Sequence, residues 1–195
     1  MTATAPTPLI LQTDRMYLRE LSPEMYGYLF SHITDDEIST YFGFKTEKEL
    51  EAEKEKFQKG YATYFFSFKI FHLLDKQDNR MLGMCGFHTW VPKHRRAEVG
   101  YNLLNDADKG KGLMKEALGA VLAYGFEHMN LYRVEALLAE YNVPSLKLLK
   151  YYGFKKEGTV RGHYIVDEVN EDSALYSILL PEFEQLKEQE TAETL

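Results

Sequence analysis

The chain has 195 residues, a length for one domain, and its 45% apolar content is enough to bury a sizeable core. With 23 basic against 30 acidic residues the net charge is −7, which argues against broad nucleic-acid binding and weakly favours cationic substrates. A single cysteine, Cys85, excludes an internal disulfide and fits a reducing cytoplasm, and no apolar run reaches membrane-spanning length.

Taken in order, the first ten residues are expected to be flexible, above all the Thr/Ala/Pro-rich Met1–Pro8. They carry no charged segment leading into an apolar core, so no signal peptide is expected. Thr13–Leu21 alternates around Met16, Leu18 and Leu21 as a first strand. Ser22-Pro23-Glu24 is a helix start, with a cap, a proline at the first position and an acid in the first turn; the helix runs to about Ile33. Asp35–Tyr41 reads as a short second helix and Thr46–Gly60 as a charged amphipathic third, whose charges need be no more than a solvated face. Tyr64–Leu74 and Arg80–Trp90 flank the turn Asp75–Asn79 as an antiparallel hairpin, with Cys85 as a small buried hydrophobe in the second strand. After a basic loop, Ala97–Leu104 is a strand that ends in the turn formers Asn105–Asp108.

The loop Lys109-Gly110-Lys111-Gly112-Leu113-Met114 follows, and then a helix to Met129 with Met114, Ala117, Leu118, Val121, Leu122 and Gly125 on one face. Strand, glycine loop and helix form an anion site. The glycines let backbone N–H groups approach a ligand, and the first helical turn adds unpaired N–H groups and a positive dipole end. A plain flexible turn would look the same. The loop is not a Walker loop, which ends in Gly-Lys-Ser/Thr, nor a dinucleotide fingerprint, which needs glycine where Lys115 stands. Beyond it, Arg133–Ala139 is a strand, and Asn142, Pro144 and Gly153 frame a helix. Phe154–Ile165 and Ser173–Leu180 are strands joined by an acidic loop, Asp167–Asp172, and Pro181–Gln189 begins a terminal helix and tail. The pattern is α/β: antiparallel hairpins around one parallel pair, crossed by the Gly112–Met129 helix.

Gly110-Lys111-Gly112-Leu113-Met114-Lys115-Glu116-Ala117 resembles the acetyl-CoA motif of the GNAT superfamily of N-acetyltransferases, in its RimJ/RimL-like branch. In the broader motif, Arg/Gln-x-x-Gly-x-Gly/Ala, the defined positions are taken by Lys109, Gly112 and Met114, two of them departures. Ala97-Glu98-Val99-Gly100-Tyr101, Asn142-Val143-Pro144-Ser145 and Tyr152-Gly153-Phe154 extend the likeness, which covers roughly Leu11 to Phe183. It implies a GNAT-like acyl-CoA N-acyltransferase fold (α/β, also written α+β). That fold is a mixed, mostly antiparallel sheet of six to seven strands flanked by helices, here one domain over 1–195.

The resemblance also implies site residues. The backbone of Asn102, Leu103 and Leu104 would meet the pantetheine arm of acetyl-CoA as an added strand does. Lys109, Gly110, Lys111, Gly112, Leu113 and Met114 would hold the pyrophosphate, and Asn142 and Ser145 would line the arm, with Asn142 also a helix cap. Glu98 takes the place of the general base; it reads equally as a structural carboxylate facing Arg95 or Arg96. Ser145 takes the place of the general acid, because Leu149 stands where many relatives carry tyrosine and Tyr152 reads as a packed aromatic. Arg161, His163, Tyr164, Asp172 and Tyr176 fall on the acceptor side, with His163 either a base or structural. Trp90 and Asp35–Phe44 would shape the acceptor mouth. No metal-ligand spacing appears.

The expected function is therefore transfer of acetyl from acetyl-CoA to a primary amine, a protein N-terminus or a small molecule, by direct attack in a ternary complex. Neither a nucleic-acid nor a membrane partner is expected, and the chain would act as a monomer or homodimer. The alternative is a non-catalytic acyl-CoA-binding sensor or scaffold.

Overall fold

The computed structural model describes residues 4–60 and 67–193. Tyr64–Phe66, the start of the expected third-element strand, and the outermost residues of both termini lie outside the described residues. The strands are β1 (Ile10–Gln12), β2 (Met16–Leu21), β3 (Ser67–Asp75), β4 (Met81–Val91), β5 (Arg96–Leu103), β6 (Arg133–Leu138), β7 (Lys155–Val166) and β8 (Val169–Leu179). The helices are α1 (Pro23–His32), α2 (Asp35–Phe42), α3 (Glu47–Lys59), α4 (Leu113–Glu127), α5 (Val143–Tyr151) and α6 (Leu180–Glu193). The strands hydrogen-bond in the order β1-β2-β3-β4-β5-β6-β8-β7, eight rather than the expected six or seven. The additional one is β1, a short edge strand antiparallel to β2.

The chain divides into two compact units, 1–91 with 100–121, and 92–99 with 122–195, so that β5 and α4 each run from one unit into the other. In the first unit β2, β3 and β4 form an antiparallel meander. Its helices follow from their caps. Ser22 Oγ accepts the Met25 N–H and Pro23 opens α1, while Thr34 with Glu37 and Thr46 with Glu49 form capping boxes that start α2 and α3. The left-handed Gly43, φ 72°, stops α2. These helices lay Met25, Tyr26, Leu29, Ile38, Phe42 and Leu50 against Leu21 and Phe68 of the sheet. Helix α3 contributes only Leu50 among its buried residues and pairs its lysines with its own glutamates and Asp35, which matches the solvated-face reading. Cys85 is fully buried on β4, and burial pushes its thiol far up, leaving an inert apolar side chain.

In the second unit Arg96, Ala97 and Glu98 of β5 pair in parallel with Arg133, Val134 and Glu135 of β6. The ladder stops there, although β6 runs on to Leu138. Strands β6, β8 and β7 are mutually antiparallel, and Phe126 of α4 stacks on Phe183 of α6 at 4.7 Å. The acidic loop expected over Asp167–Asp172 is a correction. Val166 pairs with Val169, so Asp167 and Glu168 alone make the turn, with φ of 47° and 66°. The short side chain of Asp167 tolerates that left-handed geometry of a two-residue hairpin better than a β-branched one would, and Val169–Asp172 belong to β8.

Candidate active site

The residues singled out in the sequence fall into two sets, one in each unit. In the first unit, Asn102 and Leu103 end β5 and Leu104 follows it. The Leu104 N–H donates to the Leu82 carbonyl at 2.9 Å. A Cβ at Gly83 would meet the Asn102 carbonyl oxygen at 2.1 Å, so glycine is what lets β4 approach β5 this closely. The chain then makes a 3-10 turn, Asp106–Asp108. Asp108 is buried and held bidentate by Arg80, at 2.7 and 3.1 Å, and this pair keeps its carboxyl below the usual carboxylate range. The turn is thus pinned from the β3–β4 side, and its far end is free to present the loop.

Gly110 and Gly112 have φ of 74° and 77°, the left-handed region that favours glycine. Nothing lies within 4 Å of a Cβ built on Gly110, and one on Gly112 would meet only Arg15 Nη2, at 3.6 Å. Lys109, Gly110, Lys111 and Gly112 are exposed, Leu113 is buried and Met114 half-buried. Lys109 Nζ bonds Asp106 at 2.6 Å and is partly neutralised there. Helix α4 begins directly after Gly112, whose carbonyl accepts the Glu116 N–H at 3.1 Å. A loop of left-handed glycines feeding a helix of four turns is chemically an anion cradle, open on the side where a Cβ would have stood.

One residue of this cradle was not foreseen. Arg15, just before β2, donates through Nε to Glu116 at 2.7 Å and through Nη1 to the Lys111 carbonyl at 2.9 Å, while its own N–H bonds Glu116 at 2.8 Å. It ties the loop to the first turn of α4 and sets a guanidinium beside Gly112. Lys111 is 96 positions away in sequence, so no local pattern could have signalled it.

In the second unit, Glu98 is a buried carboxylate, 9% exposed, at the last rung of the parallel ladder. Arg96 pairs with Glu135 at 2.6 Å, and Arg95 Nε donates to the Asn130 carbonyl at 2.9 Å. Glu98 makes itself felt at Tyr164, whose hydroxyl is pushed up by burial first and by the Glu98 charge second. Asn142 caps α5, its Oδ1 accepting the Ser145 N–H at 3.2 Å, and Ser145 is half-buried in the first turn. Leu149 is fully buried, and Tyr152, 7% exposed, packs edge-on against Tyr151. Tyr152 is therefore the packed aromatic that its spacing suggested.

On the hairpin β7–β8, Arg161, His163 and Tyr164 are exposed. His163 Nδ1 lies 3.1 Å from the buried Ser173 hydroxyl, and Asp172 accepts the Gly162 N–H at 2.8 Å. Tyr176 is buried and Trp90 half-buried. Among the described residues no group of three or more His, Cys, Asp or Glu could hold a metal ion, and no helix is long and apolar enough to cross a membrane.

The Acetyltransferase (GNAT) domain model matches residues 15–155, and the chain belongs to the GNAT acetyltransferase family. It is 31% identical over 173 residues to "Uncharacterized N-acetyltransferase YoaA" of Bacillus subtilis (strain 168), covering 88% of this chain and 97% of that protein. The [Ribosomal protein uS5]-alanine N-acetyltransferase of Escherichia coli (strain K12) is 30% identical over 114 residues, 58% of each chain. A GCN5-related N-acetyltransferase from Brucella melitensis superposes with a TM-score of 0.67 at 24% identity, over 97% of this chain and 86% of the other. The spermidine/spermine N-acetyltransferase SpeG of Vibrio cholerae does so with a TM-score of 0.65 at 20% identity, over 88% and 97%. These two likenesses show the fold.

Proposed function

We propose that this acetyltransferase takes its acetyl group from acetyl-CoA and delivers it to a primary amine, without a covalent enzyme intermediate. The observation that carries the reading is the pair of left-handed glycines, Gly110 and Gly112, opening an exposed loop at the start of α4. When bound, acetyl-CoA supplies an acetyl group activated as a thioester. The backbone N–H groups of Lys109–Met114 hold its pyrophosphate, and Lys109, Lys111 and Arg15 add positive charge. The backbone of Asn102, Leu103 and Leu104 takes the pantetheine arm as an added strand, and Asn142 and Ser145 line it. Glu98 accepts the proton of the amine nitrogen, and Ser145 Oγ is the proton donor at the departing sulfur. Leu149, fully buried hydrocarbon where a tyrosine acid would otherwise stand, leaves Ser145 as the hydroxyl for that task.

The acceptor is a small-molecule amine or a protein N-terminus. The uS5-alanine N-acetyltransferase among the relatives supports the second, the SpeG-like fold is compatible with the first, and the net charge of −7 suits either cation. Family membership and the relatives named N-acetyltransferase weigh against the scaffold alternative.

Gly112→Asp tests the cradle. It forces a side chain into a left-handed conformation, a strain on the order of 1–3 kcal/mol, and adds negative charge where phosphate should sit. Calorimetry should show acetyl-CoA binding weakened by roughly tenfold or more, since about 1.4 kcal/mol is tenfold; an unchanged Kd removes the loop from the site. Arg15→Ala should weaken binding several-fold with the fold intact, because the loop loses its tie to Glu116 and Lys111 while Asp108 still anchors the preceding turn. Equal affinities for Arg15→Ala and wild type would make Arg15 a surface ion pair of little consequence.

A further inference from the structure

The first unit contains a second polar assembly, separate from the glycine loop and built from β2, β3 and α2. Among the described residues four enclosed side-chain polar atoms bond to nothing, and three of them cluster: Arg19 Nε, Tyr41 Oη and His72 Nε2. Arg19, on β2, donates through Nη2 to the Tyr41 carbonyl at 2.9 Å and lies 3.4 Å from His72 Nδ1, with its guanidinium 3.6 Å from the Tyr41 ring centroid. It has no carboxylate partner. The adjacent Glu20 is taken by Lys69 at 2.6 Å and by the Leu9 N–H at 2.9 Å. Burial lowers the pKa of Arg19 and holds His72 neutral, so His72 adds no second positive charge beside it. A half-buried cation compensated only by a ring face and a carbonyl is costly, and such groups persist in native proteins where an ion, a water or a function answers them.

Arg19 and Tyr41 both line a pocket of about 420 Å³, within the size range of small-molecule sites. Its wall includes Leu74 and Met81, and its rim carries Asp36 and Glu37. Glu37 is occupied through Oε2 with the Thr34 cap, whereas Asp36 is exposed and its carboxylate has no partner among the described residues. A ligand that answers Arg19 must bring an anionic or acceptor group. A polyanion would meet the two acids at the rim; a ligand carrying its own cation would not.

We propose that this pocket binds a small zwitterion of the α-amino acid class with an apolar side chain: its carboxylate on the Arg19 guanidinium, its ammonium at Asp36, its side chain against Leu74 and Met81. The planar guanidinium suits a carboxylate. Selectivity comes from needing both charges at once.

Calorimetry on the full chain without acetyl-CoA tests this with four probes: L-leucine, leucinamide, 4-methylpentanoate and inorganic phosphate. L-Leucine should bind, and removing either its carboxylate or its ammonium should weaken binding roughly tenfold or more, as loss of a charge-assisted hydrogen bond does. Arg19→Met, which keeps volume and removes the uncompensated charge, should abolish leucine binding while leaving the thermal midpoint and acetyl-CoA affinity at or above wild type. Asp36→Asn, at an exposed position that tolerates change, should bring leucine down to the level of 4-methylpentanoate. Leucine binding that survives Arg19→Met, phosphate bound in preference to leucine, or no probe bound at millimolar concentration would each overturn the proposal, the last leaving a pocket that water fills.

Discussion

Glu98→Gln is expected to lower kcat by roughly 10²–10⁴-fold, the range for loss of a positioned acid or base, with acetyl-CoA affinity near wild type. The expectation rests on position. Glu98 is buried at the last rung of the parallel ladder, and its charge is felt by Tyr164. The amide keeps the volume and removes only the proton acceptor, so circular dichroism should not change. A loss smaller than about threefold, well outside that range, would assign the amine proton to water or to His163. Ser145→Ala gives the complementary readout. If its hydroxyl protonates the departing thiol, kcat falls while the Asn142 cap, which uses the Ser145 backbone N–H, is untouched.

The second large effect concerns stability. His72 is fully buried among Arg19, Tyr41 and Phe42, and its pKa falls from 6.5 to about 3, chiefly through burial and then through the Arg19 charge. The folded state therefore holds the neutral ring while the unfolded chain protonates near 6.5. The unfolded state binds more protons over that interval, so stability is full above pH 6.5 and declines as pH falls towards about 3. At about 1.4 kcal/mol per pKa unit, the contribution lost between pH 6.5 and 5 is about 2 kcal/mol. Urea midpoints at the two pH values should show it, and His72→Gln should flatten the slope over the same interval. An equal slope in both proteins would mean that the acid sensitivity comes from elsewhere.

What the sequence disclosed and what it withheld divide along a physical line. The helices were legible because their signals are local: Ser22 with Pro23 and Asn142 with Pro144 each announce a start within a few residues. The glycine loop was legible for the same reason, since left-handed backbone needs glycine where the turn is made. Strand β1 was not, because three residues with an exposed edge carry no period. The first half of β8 was misread because Val169–Asp172 is mostly exposed and rich in turn formers, and only its pairing with β7 makes it a strand. Least legible were the long-range arginines. Arg15 holds a loop 96 positions away and Arg80 a carboxylate 28 away, and nothing near either residue names its partner. Arg19 was equally silent, because what distinguishes it is the lack of a carboxylate partner in the folded chain.

Release of free coenzyme A thiol from acetyl-CoA, followed across a panel of polyamines, amino acids and peptides with Ala, Ser or Met N-termini, tests acetyl-CoA-dependent N-acetylation most directly. Amine-dependent release with at least one primary amine is expected, with an N-acetylated product by mass and suppression of that release in both Gly112→Asp and Glu98→Gln. Acetyl-CoA binding without amine-dependent thiol release from any member of the panel, or acetylation of alcohols in preference to every amine, would contradict it.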